Sequence, residues 1–200
     1  MSGLISHLAA GGSFAQTAYN RVKMEDYYKS AEFRKKIPEF CHFKSDIFAV
    51  SRIKAPSRSV AYEALRLSSD FPNKYQHDKY IDPAGSYQIH PREADLGMIY
   101  HFAYRKNPWS GPVATDYLQE ISTSSCFRGC IVWTNAMFRY SSIEYRIVQE
   151  GEQYFLEREA KLVLSFPFPA ALARQKLLSV NQDSLRDIIS HAEKKLANRI

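Results

Sequence analysis

The feature that most constrains the fold is an alternation of apolar and charged residues in two stretches between residues 143 and 166. One apolar row begins at Ile143, and a second runs from Tyr154 to Phe166, each interleaved with charged residues. Alternation with a period of two is typical of strands that bury one face. Gly151 lies between the rows, so the pattern predicts a β-hairpin with this glycine in its turn.

A third strand is predicted directly before this hairpin. The stretch from Cys126 to Phe138 is rich in β-branched and aromatic residues at both odd and even positions. A strand that is buried on both faces shows this composition, which is typical of the centre of a sheet. Together the three segments predict an antiparallel meander near the carboxyl end.

Helices are predicted at both ends of the chain. The apolar spacing from Met24 onward indicates a helix over 18–36, which ends before Pro38. Another helix is expected from Pro169 to about Ser179, because proline suits a first helical turn. The sequence therefore predicts an α+β fold, an antiparallel β-sheet packed by N-terminal and C-terminal helices. The apolar stripe of a final helix consists of Leu185, Ile188, Ile189, Ala192 and Leu196.

Composition bounds the class of protein. The chain has 200 residues, 45% of them hydrophobic, which is enough for one core, and we predict a single domain over residues 1–200. Cys41, Cys126 and Cys130 form no CxxC pair and follow no secretory signal, so we expect unpaired thiols in a cytoplasmic protein. No metal site is expected, because no two histidines lie at ligand spacing. No run reaches the roughly 18 apolar residues of a membrane span.

A long irregular segment is expected between Asp70 and Gly97, because prolines, glycines and asparagine interrupt any regular element there. Long loops in compact domains are often functional. The aromatic residues of this segment, with two that follow it, do not fit the core pattern and are therefore candidates for a binding surface. They are Tyr75, Tyr80, Tyr87, Tyr104 and Trp109.

The positive charge is concentrated before about residue 66. The formal net charge is +6, and a basic surface with interleaved aromatic rings can bind nucleic acid. The first hypothesis is therefore a non-catalytic interaction protein, a subunit of a larger and possibly nucleoprotein assembly that binds protein partners or itself. The basic candidates for this surface are Arg34, Lys35, Lys36, Arg52 and Lys54.

Two arginines occupy unusual strand positions. Arg158 is in register with apolar Leu156 and Ala160, and Arg128 lies on the central strand. A guanidinium on an apolar face is costly unless it reaches solvent, pairs with a carboxylate such as Glu144, or binds a ligand anion. The second hypothesis is therefore a small enzyme with an anion pocket.

Residues 122–124, Ser-Thr-Ser, and residues 157–159, Glu-Arg-Glu, faintly resemble two motifs of the arginine-directed ADP-ribosyltransferases. The resemblance implies NAD as cofactor and Ser122, Glu157 and Glu159 as catalytic residues. The alternative is purely structural: residues 122–124 belong to a serine-rich loop, and Glu157 and Glu159 lie on the solvent face of a strand. No GxGxxG, GxxxxGK[ST], HExxH or GxSxG motif is present, so the first hypothesis involves no cofactor.

A third hypothesis follows from the sheet itself. An antiparallel sheet with many aromatic residues can enclose a lipid, a pigment or another apolar ligand. Nothing in the residue pattern separates such a cavity from a filled core.

Overall fold

A computed structural model describes residues 23–78, 80–93, 97–107, 111–134, 138–165, 167 and 169–198. One seven-stranded sheet runs in the order β1-β7-β6-β5-β4-β3-β2, and every pair of neighbours is antiparallel. The strands are β1 (Ile47–Ala55), β2 (Ile81–Glu93), β3 (Gly97–Asn107), β4 (Gly111–Ser122), β5 (Cys126–Thr134), β6 (Phe138–Glu150) and β7 (Gln153–Leu164).

The helices lie on both faces of this sheet. Residues 23–29 are helical, and longer helices and a short 3-10 helix follow them along the chain. No helix among the described residues is long and apolar enough to cross a membrane, and the cytoplasmic location stays a prediction. The named helices are α1 (Ala31–Cys41), α2 (Arg58–Ser69), the 3-10 helix (Phe71–Gln76) and α3 (Ala170–Ala197).

The predicted α+β class and the meander are confirmed. β5, β6 and β7 are consecutive neighbours, and Tyr145 of β6 pairs with Phe127 on one side and Arg158 on the other. Gly151 occupies the turn between β6 and β7 with a positive φ of 58°, a conformation that glycine adopts without steric cost. The alternating pattern therefore predicted the two strands of the hairpin and the position of its turn.

The segment predicted as a long loop is instead regular. It contains the 3-10 helix, with Pro72 at its start, and strand β2. Pro83 and Gly85 are tolerated in β2 because it is an edge strand, and its pairing with β3 contains register shifts. An edge strand needs backbone hydrogen bonds on one side only and therefore tolerates proline. The prediction of a loop from these prolines was wrong for this reason.

Two helix boundaries were also predicted wrongly. The N-terminal helix is interrupted at Ser30, whose side chain caps α1 by accepting from the amide of Phe33, and α1 continues through Pro38 to Cys41. The two predicted C-terminal helices are one helix of 28 residues, α3. Tertiary packing of this helix on the sheet outweighs the weak helix propensity of its central polar residues.

The main core lies between one face of the sheet, here called the inner face, and α2, the 3-10 helix and α3. Phe71 lies at its centre, with edge-to-face rings from four strand residues. The centroid distances are 6.3 Å to Tyr100, 5.2 Å to Phe102, 6.1 Å to Tyr117 and 5.6 Å to Phe127. The space enclosed by these elements is called the interior below.

A smaller core lies on the opposite, outer face, where the helical residues 23–41 pack on β3, β4 and β5. Tyr28 is fully buried there and donates a hydrogen bond of 2.5 Å to the carboxylate of Asp116. Asp116 also contacts Nδ1 of His101 at 2.5 Å. Burial and this carboxylate together raise the pKa of Tyr28 well above its usual value, so its hydroxyl stays a donor.

A disulfide joins the outer layer to the sheet, contrary to the expectation of unpaired thiols. Cys41 at the end of α1 bonds to Cys130 of β5, with Cα atoms 5.5 Å apart and 89 positions of sequence separation. Cys126 is free. A pairing between positions so distant in sequence leaves no local spacing signal.

Alkylation in denaturant tests this pairing. Without reductant we expect one modified cysteine by mass spectrometry, and three after reduction. Reduction should also lower the free energy of unfolding by about 4 kcal/mol, because the bond closes a long loop in the unfolded chain. The variant Cys126→Ser is the control and should show no modified cysteine before reduction. Three modified cysteines in the unreduced wild type would contradict the bond.

Candidate functional site

Five polar or charged side chains enter the otherwise aromatic interior and form what we call the interior cluster. The amine of Lys74 lies 5.5 Å from the ring centroid of Tyr117, and the guanidinium of Arg158 lies 5.5 Å from that of Tyr145. The charge of Arg158 also acts on Lys74, Tyr104 and Tyr117. Four of them come from the inner face of the sheet and one from the 3-10 helix. The interior cluster consists of Lys74, Tyr104, Tyr117, Tyr145 and Arg158.

Lys74 reaches the interior because of 3-10 geometry. Side chains three residues apart share one face of such a helix, so Lys74 follows Phe71 into the core. Its Nζ lies 5.5 Å from the ring centroid of Phe71, 5.3 Å from that of Phe102 and 5.5 Å from that of Tyr117. Lysine is rarely buried without an acidic partner, so this position is unusual.

Lys74 is only 7% exposed. None of the described residues forms an ion pair or hydrogen bond with it; its contacts are the three rings. Burial lowers the pKa of this amine, the charge of Arg158 lowers it further, and Tyr145 and Asp78 oppose the change. The lysine is thus a desolvated amine against aromatic faces, and burial disfavours its charged form.

Arg158 lies on the inner face of β7, between Leu156 and Ala160. Its guanidinium is 5.5 Å from the ring centroid of Tyr145, and Nη1 donates to the carbonyl of Val180 in α3 at 3.4 Å. Its Nε is buried and has no partner among the described residues. One donor of Arg158 is therefore left unsatisfied inside the protein.

Tyr104 and Tyr117 of the interior cluster are neutral hydrogen-bonding groups. Burial raises the pKa of Tyr117 to about 12 and holds that of Tyr104 well above its usual value. The hydroxyl of Tyr145 lies 3.0 Å from Oγ of Ser184 in α3. Thr115, on the same face of β4 as Tyr117, has a buried hydroxyl oxygen with no hydrogen-bond partner among the described residues.

Asn181 and His77 fix the two helical elements that cover the interior. The amide of Asn181 in α3 donates to the carbonyls of Ala49 at 3.3 Å and Arg158 at 3.4 Å, which ties α3 to β1 and β7. Nε2 of His77 lies 3.1 Å from the carbonyl of Leu67, so the neutral ring joins the end of the 3-10 helix to α2. These polar contacts set the position of Lys74 relative to the sheet.

The outer face of the same strands carries a compensated ion network. Arg146 contacts Glu157 at 2.6 Å and Glu159 at 3.1 Å, and Lys161 contacts Glu159 at 2.7 Å. Arg128 contacts Glu144 at 2.8 Å. The two predicted anion-pocket arginines, Arg128 and Arg158, are therefore on opposite faces and do not form one pocket.

The glutamates of the transferase-like motif belong to this outer network. Glu157 and Glu159 are ion-paired there, on the face opposite the interior. Ser122 occupies a position of β4 paired with Phe127, and two strands, β5 and β6, separate β4 from β7. The predicted catalytic set is therefore spread over the sheet and both glutamates are neutralised by basic side chains. NAD binding stays a prediction.

The residues predicted for an interaction surface lie on different elements. Tyr75 and Tyr80 are exposed beside the 3-10 helix, whereas Tyr87 stacks on His101 at 4.8 Å and Tyr104 belongs to the interior cluster. Trp109 lies outside the described residues. The basic residues divide between α1, which carries Arg34, Lys35 and Lys36, and β1, which carries Lys54 and the Arg52 that pairs with Glu150.

No protein-family model and no curated protein matches this chain. Solved structures do match its fold. A START superfamily protein from Mycobacterium smegmatis is 12% identical, with a TM-score of 0.60 over 74% of this chain and 97% of that one. The Zhui aromatase/cyclase from Streptomyces sp. R1128 is 10% identical, with a TM-score of 0.57 over 74% of this chain and 94% of that one.

A third similar structure is the di-domain aromatase/cyclase StfQ from the steffimycin biosynthetic pathway. It is 10% identical, with a TM-score of 0.61 over 76% of this chain and 52% of that one. At these identities the similarity establishes the fold alone. This chain shares the helix-grip arrangement, in which an antiparallel sheet packs around a long C-terminal helix.

These findings correct the first hypothesis. The prediction of a non-catalytic interaction subunit, possibly nucleic-acid-binding, is wrong, because the fold is a helix-grip with structural neighbours of the START and aromatase/cyclase type. The tyrosines read as loop residues are partly packed, with Tyr104 directed into the interior. The third hypothesis, an enclosed apolar ligand, fits this architecture better.

The sequence reasoning found Arg158 but missed Lys74, Tyr117 and Tyr145 as site residues. Lys74 lies in the segment predicted as an irregular loop, where a charged side chain is expected to face solvent. Tyr145 lies in the apolar row that begins at Ile143 and that was predicted to face the core. The available signal was the Phe-Pro-Asn-Lys spacing at 71–74, because a proline in the first turn and a three-residue repeat favour a 3-10 helix. That signal places a lysine and a phenylalanine on one face.

The stability of the covering helices should depend on the protonation of His77. Burial, aided by the charge of Lys74, lowers the pKa of His77 to about 4, below the ordinary histidine value of 6.5. The unfolded chain therefore binds the proton more tightly between these values. Stability should be complete above pH 6.5 and fall by up to about 3 kcal/mol as the pH drops to 4.

Urea unfolding at pH 4 to 8 measures this effect. His77→Gln should flatten the decline below pH 6.5, whereas His42→Gln, at an exposed position on the outer side, should leave it unchanged. An identical pH profile for wild type and His77→Gln would contradict the assignment.

Proposed function

We propose that the protein binds a largely apolar small molecule in the interior, between the inner face of the sheet and α3. The observation that carries this proposal is a set of buried polar groups without partners among the described residues, in surroundings that are otherwise aromatic. They are Nε of Arg158, Oδ1 of Asn181 and the hydroxyl of Thr115, and beside them the amine of Lys74 contacts only ring faces among the described residues. Native proteins satisfy nearly all such groups, so an orphaned set at one place supports a missing ligand.

The architecture supports the same proposal. Ligand sites are typically apolar with a few converging polar groups, which describes an interior with aromatic residues from β3, β4 and β5 and two cations. Two of the similar structures are named as aromatase/cyclases and one as a START superfamily protein. The proposal extends to binding and does not include a reaction.

A neutral fluorescent probe tests it directly. N-phenyl-1-naphthylamine should bind to the purified protein with saturable fluorescence enhancement, because burial of its two rings removes apolar surface from water. Benzophenone, which is also neutral and photoreactive, should compete with this probe. After irradiation, peptide mass spectrometry should locate its adducts on inner-face residues such as Phe102 and Tyr117.

A matched pair of variants separates the two faces of the sheet. Ala160→Leu adds bulk on the inner face of β7 beside Arg158, and Val50→Leu adds bulk on the outer face of β1. The first should weaken probe binding several-fold, since it occupies interior space, and the second should not. Circular dichroism melts check that both variants fold. Absence of saturable binding, or adducts confined to the outer face, would contradict the proposed function.

A further inference from the structure

Among the residues that the structure describes, the interior holds two basic side chains and no carboxylate that forms an ion pair with either. We propose that the ligand carries one acidic oxygen group, a carboxylate, enolate or phenolate, which binds between Lys74 and Arg158 while its apolar body contacts the aromatic residues. This inference rests on the proposed function, since it specifies the ligand class for the same interior site.

The two faces of the sheet differ in whether their basic side chains have carboxylate partners. On the outer face, Arg52, Arg128 and Arg146 each have a glutamate at 2.6 to 2.8 Å. On the inner face, Lys74 and Arg158 have no such partner among the described residues. Lys74 is buried, Nε of the half-buried Arg158 is enclosed, and the carboxylate of Asp78 acts on Lys74 without forming an ion pair with it. A buried charge without a paired counter-ion is destabilising, so the site lacks a negative charge in contact with these groups.

Lys74 and Arg158 both have hydrogen-bond donors that a ligand could use. The amine of Lys74 contacts only ring faces, which attract a cation but accept no conventional hydrogen bond. Arg158 is anchored through Nη1 to the carbonyl of Val180, which leaves Nε as a buried donor. An anionic oxygen would accept charge-assisted hydrogen bonds from both residues, whereas a neutral ligand would leave both charges uncompensated.

The surroundings limit the rest of the ligand. Phe71, Phe102 and the ring of Tyr117 surround the amine, and Tyr145 lies beneath the guanidinium. The hydroxyl of Tyr117 is protonated near neutral pH because burial raises its pKa to about 12, so it adds a donor and no charge. The ligand that fits is therefore a monoanion with an apolar body, and a highly charged metabolite would leave its other charges among aromatic rings.

A carboxylic acid and its amide have nearly the same shape but differ in charge, so a comparison of their affinities tests whether the site prefers an anion. 2-Naphthoic acid and 2-naphthamide form one pair, decanoic acid and decanamide the other, each measured at pH 7 by displacement of N-phenyl-1-naphthylamine. In at least one pair the acid should bind on the order of tenfold more tightly than the amide. The pair with the larger preference identifies an aromatic or an alkyl body.

Single substitutions test whether Lys74 and Arg158 cause the preference for the acid over the amide. Lys74→Met and Arg158→Met should each reduce the acid-to-amide ratio several-fold while amide binding stays similar. Lys54→Met, an exposed lysine on the outer face of β1, is the matched control and should keep the wild-type ratio. The Tm of the unliganded Lys74→Met protein should equal or exceed that of the wild type, because the substitution removes a desolvated cation.

The outcomes separate the two proposals. Probe binding with equal affinities for acid and amide in both pairs would overturn this inference and leave the proposed function standing. Absence of probe binding would overturn both. A lower Tm for Lys74→Met together with an unchanged ratio would assign Lys74 to folding through its ring contacts. If a methionine variant does not fold, the wild-type ratio alone decides.

Discussion

The packing of Phe71 is the interaction on which the rest of the structure depends. Its ring meets four aromatic rings from β3, β4 and β5, so a 3-10 helix of six residues is held against the inner face of the sheet. Such a short element has little stability of its own. The aromatic contacts fix its rotation, and the rotation brings Lys74 inward rather than into solvent.

Much of the fold could be predicted because the relevant signals are local. Alternation predicted β6 and β7, and the apolar stripe around Leu185 predicted the end of α3. The errors occurred where tertiary context overrides local signals: proline in an edge strand, proline within α1, and Asn181 inside a continuous helix. The pairing of Cys41 with Cys130 has no local signature at all.

The candidate site was only partly predictable for a similar reason. Arg158 could be placed on the apolar face of its strand, because period two determines the facing of every residue in β7. The 71–74 spacing places Lys74 and Phe71 on one face of a short helix, but that this face points inward follows only from the packing of Phe71 on the sheet. The same period explains why Glu157 and Glu159, one residue to either side of Arg158, lie on the opposite face and pair there with Arg146.

The attachment of α3 is uneven along its length. Asn181 ties it to β1 and β7, and Leu185, Ile188, Ile189 and Ala192 bury the half that follows. In the half that precedes Asn181, Ala173 is buried, whereas Leu172 is 55% exposed and Val180 is 42% exposed. Raising the first turns of α3 therefore exposes little new apolar surface, whereas raising the last turns would expose much of the core. The amino-terminal half of α3 is therefore held mainly by Leu177 and by polar contacts of the Leu178 and Val180 carbonyls, whereas the carboxyl-terminal half is held by apolar burial.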